Sequence, residues 1–176
     1  MVSLHIIETE SALEAQALRA TAEALGFVVS VTWVGNSGQI VDFLSQEPSH
    51  ELIFICGHGD ERGVLLPPLA EEVKARFPFD DVITPSDFGS FVRLRGNVVL
   101  SSGCVTGTEE MARAFLENGA ECFIGAADYP DGDEALLFCL HFLFVYWKTR
   151  SGKEAFELAN RQVEGENRFC FFESVG

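Results

Sequence analysis

Two residues in this sequence, a histidine and a cysteine, have the chemistry and the setting for covalent catalysis. The histidine is His58, in the run Phe54-Ile55-Cys56-Gly57-His58-Gly59. The cysteine is Cys104, 46 residues further on, in Val98-Val99-Leu100-Ser101-Ser102-Gly103-Cys104-Val105-Thr106-Gly107. Glycines on both sides of His58 leave its imidazole unshielded and let backbone approach closely. A thiolate attacks an acyl carbon while an imidazole activates the thiol or protonates the leaving amine, so Cys and His make a minimal nucleophilic pair. The amides of Gly59 and Cys104 are then expected to stabilise the oxyanion. A cysteine between the carboxyl end of a strand and the start of a helix lies where α/β sheets place reactive groups. The positive end of that helix is expected to lower the thiol pKa, with Thr106 as N-cap and Glu109 completing a capping box.

The elements that must position the pair read as alternating strands and helices. Val2 to Ile7 is a strand; Ser11 and Glu14 form a capping box for a helix running to Leu25, with Gly26 closing it. Phe27 to Val34 is β-branched and extended, and a helix near Gln39 to Gln46 ends before Pro48. Leu52 to Cys56 is a continuous apolar run, the pattern of a central strand buried on both faces. Val64 to Leu69 reads as a short strand or hairpin arm, and Glu71 to Phe91 as loop plus a short helix starting at Thr84-Pro85. After Cys104 come a helix from Thr108 to Asn118, a strand from Cys122 to Ala126, and an apolar helix from Glu134 to Trp147. A helix capped by Ser151 and Glu154 runs to about Val163, and Arg168 to Phe172 forms an edge strand. This order predicts one α/β domain over residues 1–176, a three-layer α/β/α sandwich on a mostly parallel sheet of about six strands. Consecutive parallel strands are usually neighbours, which brings His58 and Cys104 to one edge of the sheet.

Composition limits the partners. The chain has 176 residues, 47% of them hydrophobic, and a formal net charge of −15. That charge argues against nucleic acid and anionic membrane and is compatible with a cationic substrate. Of five cysteines, four (56, 122, 139 and 170) sit in apolar runs and read as buried packing residues; no C-x-x-C pair suggests a metal. Their pattern, with no basic stretch at the N-terminus, points to a reducing, cytoplasmic setting. The apolar stretch from Ala135 to Trp147 is broken by His141 and is too short to span a bilayer; His141 reads as a satisfied core or interface residue.

The histidine and cysteine blocks resemble the two signature blocks of caspase-like (clan CD) cysteine peptidases. The match is closer to the CHAT branch, whose cysteine block runs as an apolar strand, Ser-Ala-Cys, any residue, then Thr-Gly. The resemblance covers roughly His58 to Ala159. It implies a caspase-like sandwich that hydrolyses peptide bonds without a cofactor or metal, with His58 as acid/base, Cys104 as nucleophile and Gly59 as an oxyanion donor. Gly103 stands where the family usually has alanine, Ser102 where metacaspase-type members have an acid, and the tryptophan common after the fifth strand is absent. Only Gly119-Ala120-Glu121 connects the cysteine helix to the next strand, too short for the cleavable linker of caspases, so control by a regulatory protein partner is expected instead. The family's first-pocket residue often lies just after the fifth strand, which makes Asp128 or Asp131 a candidate selector of Lys or Arg in a polypeptide substrate; both also fit plain turn or cap roles.

Three other readings stay open. One keeps the fold and drops catalysis, leaving an interaction module. A class I amidotransferase elbow would have glycine where Thr106 stands, and its base downstream, where the sequence offers only His141. A flavodoxin-like binding domain would need a phosphate-cradling loop after the first strand, where Glu8-Thr9-Glu10 is acidic.

Overall fold

The computed structural model describes residues 2–162 and 169–174. Its main sheet contains β1 (Ser3–Glu8), β2 (Val28–Trp33), β3 (Leu52–Cys56), β7 (Val98–Ser101), β8 (Cys122–Ala126) and β9 (Phe169–Glu173), in the order β2-β1-β3-β7-β8-β9. All pairings are parallel except β8 with β9, which is antiparallel. β3 and β7 lie side by side at the centre, with Ile55 opposite Ser101.

Both faces of the sheet are covered. Every residue of β3, β7 and β8 is buried, because the period-2 alternation of a strand sends neighbours to opposite faces and both faces carry helices here. On one face Leu52, Phe54 and Cys56 pack with α1 (Ala12–Ala24), α6 (Gly132–Thr149) and α7 (Gly152–Asn160); on the other Ile53 and Ile55 pack with α2 (Ser37–Leu44), α4 (Pro85–Phe91) and α5 (Glu109–Leu116). This is the three-layer α/β/α sandwich, on six strands. The buried face of α6 stacks Phe138 on Phe169 with ring centroids 3.8 Å apart. Its other face leaves Leu137, Phe144 and Trp147 exposed. No helix among the described residues is long and apolar enough to cross a membrane.

The hairpin arm expected from Val64 forms over Gly63–Leu65, but the two short strands that pair with it were not announced by the sequence. β4 (Gly59–Asp60), β5 (Gly63–Leu65) and β6 (Val82–Ile83) form a small antiparallel sheet, and α3 (Glu71–Lys74) is a single turn. Arms of two or three residues are too short to display an alternating pattern. The helix expected at Thr84-Pro85 does form: Thr84 accepts from the Asp87 N–H while the Asp87 carboxylate accepts from Thr84. α2 begins at Ser37, two residues ahead of the expected start. The expected ends at Val163 and Arg168 lie outside the described residues.

Two expectations about buried polar groups need correction. Cys56, Cys122 and Cys139 are buried, but Cys170, on the edge strand β9, is only half-buried. His141 is half-buried, and its Nδ1 is enclosed without a hydrogen-bond partner, so it is not a satisfied core residue.

His5 supplies a pH test of the fold. It is 5% exposed, with Nδ1 2.6 Å from Ser30 Oγ, Nε2 2.9 Å from Thr32 Oγ1, and its ring stacked on Phe43 at 3.7 Å. Burial, with His50 adding to it, lowers its pKa to about 4. Between pH 6.5 and 4 the unfolded chain therefore binds a proton at His5 that the folded chain does not, so stability falls as pH drops through that window. Urea unfolding should show His5 costing about 2 kcal/mol by pH 5, a loss absent in His5→Gln; equal pH slopes for the two proteins would refute it.

Candidate active site

β3 and β7 end level with each other, and the chain beyond each is tied to the sheet. The Thr9 N–H donates to the Cys56 carbonyl at 2.9 Å, the Ser102 N–H to the Ile55 carbonyl at 3.0 Å, and the Leu65 N–H of the hairpin to the His58 carbonyl at 3.0 Å. His58 and Cys104 thus leave the same edge of the sheet from adjacent strands.

Their backbones touch. A Cβ placed on Gly103 would stand 3.2 Å from the carbonyl carbon and oxygen of His58. One placed on Gly59 would stand 3.2 Å from the Cys104 nitrogen and 3.0 Å from Thr106 Cγ2, and would overlap the Cys104 carbonyl oxygen. Only glycine lets the histidine segment lie this close to the cysteine turn. His58 is exposed and Cys104 half-buried, so both are reachable from solvent.

The turn that presents Cys104 is tightly held. Thr106 Oγ1 donates to the Gly103 carbonyl at 2.7 Å, the Gly107 N–H to the Ala126 carbonyl at 2.7 Å, and the Val105 N–H to the Asp128 carbonyl at 3.0 Å. Val105 has φ 56°, a left-handed conformation that costs a β-branched residue about 1–3 kcal/mol and that clusters at functional sites. Thr106 is therefore part of the turn and not the helix cap. The N-cap of α5 is Thr108, which accepts from the Met111 N–H at 3.2 Å.

This displacement changes the electrostatics expected for the thiol. Helix-end effects fade within a turn, and α5 starts only at Glu109. Burial pushes the Cys104 thiol up; its own N–H pulls the other way, and the charge of Asp128 pushes it up again. Burial and the Asp128 charge thus favour the neutral thiol of Cys104 over its thiolate.

The two candidate aspartates separate. Asp128 is exposed and close enough for its charge to act on Cys104. Asp131 is the N-cap residue of α6, its N–H held by the Glu134 carboxylate at 3.2 Å. Tyr129, between them, was not singled out by sequence. Its hydroxyl donates to the Glu61 carboxylate of the β4–β5 turn at 2.5 Å, and this bond raises its pKa to about 12. The β8–α6 loop and the hairpin are thereby tied together beside Cys104. An aromatic in an otherwise acidic loop is the one signal that could have marked it.

Beneath the pair lies a polar niche. The carboxyl of Glu14, in the first turn of α1, reaches the neighbourhood of Ser102, Ser11 and His58. Glu14 Oε1, Ser101 Oγ and Ser102 Oγ are enclosed without hydrogen-bond partners. The capping box expected of Ser11 and Glu14 is absent: Ser11 occupies the N-cap with no side-chain cap bond. Among the described residues no three His, Cys, Asp or Glu side chains gather as a metal site. No family model matches this chain, and no curated protein matches it.

Proposed function

We propose that the chain is a cysteine peptidase of the caspase-like kind, working through Cys104 and His58. The observation that carries this reading is the direct packing of the His58-Gly59 backbone on Gly103-Cys104, at the carboxyl ends of adjacent central strands.

Because the neutral thiol is favoured, His58 acts first as a general base and takes the proton from Cys104 Sγ as the substrate carbonyl arrives. The sulfur adds to that carbonyl, and the negative charge moves onto its oxygen, which the N–H groups of Gly59 and Cys104 stabilise. His58 then gives its proton to the departing amine. A water molecule, deprotonated by His58, hydrolyses the thioester and regenerates the thiol. Asp128, exposed beside the sulfur, is assigned the selection of a basic residue at the cleavage site; Asp131 is assigned to the helix cap. Five free cysteines support a reducing, cytoplasmic setting, and the short link between α5 and β8 supports control by a protein partner over control by cleavage.

A second reading has one observation in its favour. Burial and Asp128 both push the Cys104 thiol up, the opposite of what a standing thiolate needs, as in a catalytically silent interaction module. Fluorogenic peptides ending in Arg, Lys or Asp separate the readings. Cleavage after Arg and Lys is expected, with kcat/KM for those substrates roughly 10–100-fold lower in Asp128→Asn. Preference for Asp would contradict the assignment of Asp128, and no cleavage of any peptide would favour the silent module.

A further inference from the structure

The outer side of α6 carries an apolar stripe. Leu137 is 61%, Phe144 40% and Trp147 39% exposed, with Leu140 and His141 half-buried between them. Leu137 and Phe144 are seven residues apart, as are Leu140 and Trp147, the spacing of a helix-pairing seam. The Phe144 and Trp147 rings stand 6.4 Å apart, and His141 Nδ1 is enclosed in the stripe without a hydrogen-bond partner. The two ends of the stripe carry opposite charges. Asp133 lies in the first turn and Lys148 in the last, both exposed and about 22 Å apart along the helix. Lys148 Nζ sits 4.1 Å from the centre of the Phe144 ring, so the charge borders the apolar seam directly.

An occupant of this face must be apolar in its middle, basic opposite Asp133 and acidic opposite Lys148. A second α6 running the opposite way meets all three conditions. A two-fold axis between Leu140 and His141 sets Leu137 of one copy against Phe144 of the other, and Asp133 against Lys148, each pair occurring twice. Helices joined along a seven-residue seam cross at about 20°, which keeps both ends of the stripe in reach. The net charge of −15 opposes self-association in general. The stripe itself, however, balances one acid with one base, and physiological salt screens charges more than about 8 Å apart. A uniformly basic helix would suit Asp133 but be repelled by Lys148. We propose that this face of α6 docks, antiparallel, on the same face of a second copy of the chain. The proposal is independent of the peptidase reading.

Sedimentation equilibrium of the full chain in physiological salt tests it. A three-turn seam is at the small end of specific interfaces, so a monomer–dimer equilibrium with Kd of roughly 1–100 μM is expected. Leu137→Glu sets a carboxylate against Phe144 of the second copy and is expected to raise Kd about 100-fold. Asp133→Lys and Lys148→Glu each bring like charges together twice, and each is expected to raise Kd about tenfold. The double variant Asp133→Lys/Lys148→Glu re-forms opposite pairs and is expected to return within about threefold of the wild type. A folding defect could weaken the single variants but could not produce that recovery. A wild-type chain that stays monomeric overturns the proposal and leaves the face to a different protein. Unchanged association in Leu137→Glu, single variants as tight as the wild type, or a double variant as weak as the singles each overturn it as well.

Discussion

Replacing Cys104 with alanine is expected to abolish peptide hydrolysis, and replacing His58 with alanine to lower kcat by about 10²–10⁴-fold. The asymmetry follows from the site. Without the sulfur there is no atom to form the thioester, whereas without the imidazole a small thiolate fraction still reacts. That fraction is kept low because burial pushes the Cys104 thiol up, so dependence on His58 should be steepest at neutral pH and relax as pH rises. A double variant is expected to lose no more than Cys104→Ala alone, since residues acting as one unit are not additive. Steady-state kinetics of the four proteins on an Arg-ending peptide measure this. A His58→Ala protein with wild-type kcat would mean that the histidine is a surface residue of a glycine-rich turn.

Gly59→Ala should damage both stability and activity. The added methyl would overlap the Cys104 carbonyl oxygen and crowd the Cys104 nitrogen and Thr106 Cγ2, at 3.2 and 3.0 Å. Two of these three atoms are backbone, in a turn held by the Thr106, Gly107 and Val105 hydrogen bonds, so the neighbour has little room to yield. The cost expected is about 3 kcal/mol, the upper part of the range for overpacking. Whatever relief occurs must separate the histidine segment from the cysteine turn, and an error of 1 Å in catalytic geometry costs about 10²-fold in rate. Urea denaturation and peptide cleavage measured on one preparation give both numbers. An alanine variant as stable and as active as the wild type would show that the close approach is not needed.

The sequence is most legible where burial is two-sided. β3 and β8 have the expected limits because an apolar run covered on both faces needs no context to be read, and Thr84-Pro85 starts α4 because both partners of its cap lie within four residues. Cap motifs failed where a distant group intervened. At Thr106 the hydroxyl is taken by Gly103 and the Gly107 N–H by Ala126 of the next strand, so the cap moves to Thr108. At Ser11 the side chain makes no cap bond, and Glu14 Oε1 is enclosed instead. A local pattern proposes a hydrogen bond, but the sheet decides which partner is nearer. The placement of His58 and Cys104 at one edge of the sheet was readable because neighbouring parallel strands leave few alternatives. The Tyr129–Glu61 bond joins side chains from two separate loops, and spacing along the chain carries no trace of it.

The central claim is that Cys104 and His58 act as one unit on a peptide-like carbonyl. The most direct measurement is covalent labelling of the intact protein with a peptidyl acyloxymethyl ketone bearing a terminal Arg, read by mass spectrometry in the wild type and in His58→Ala. One adduct, mapped to Cys104 and lost in His58→Ala, is the result expected. Labelling that is absent from the wild type, falls on the half-buried Cys170, or persists unchanged in His58→Ala would contradict it.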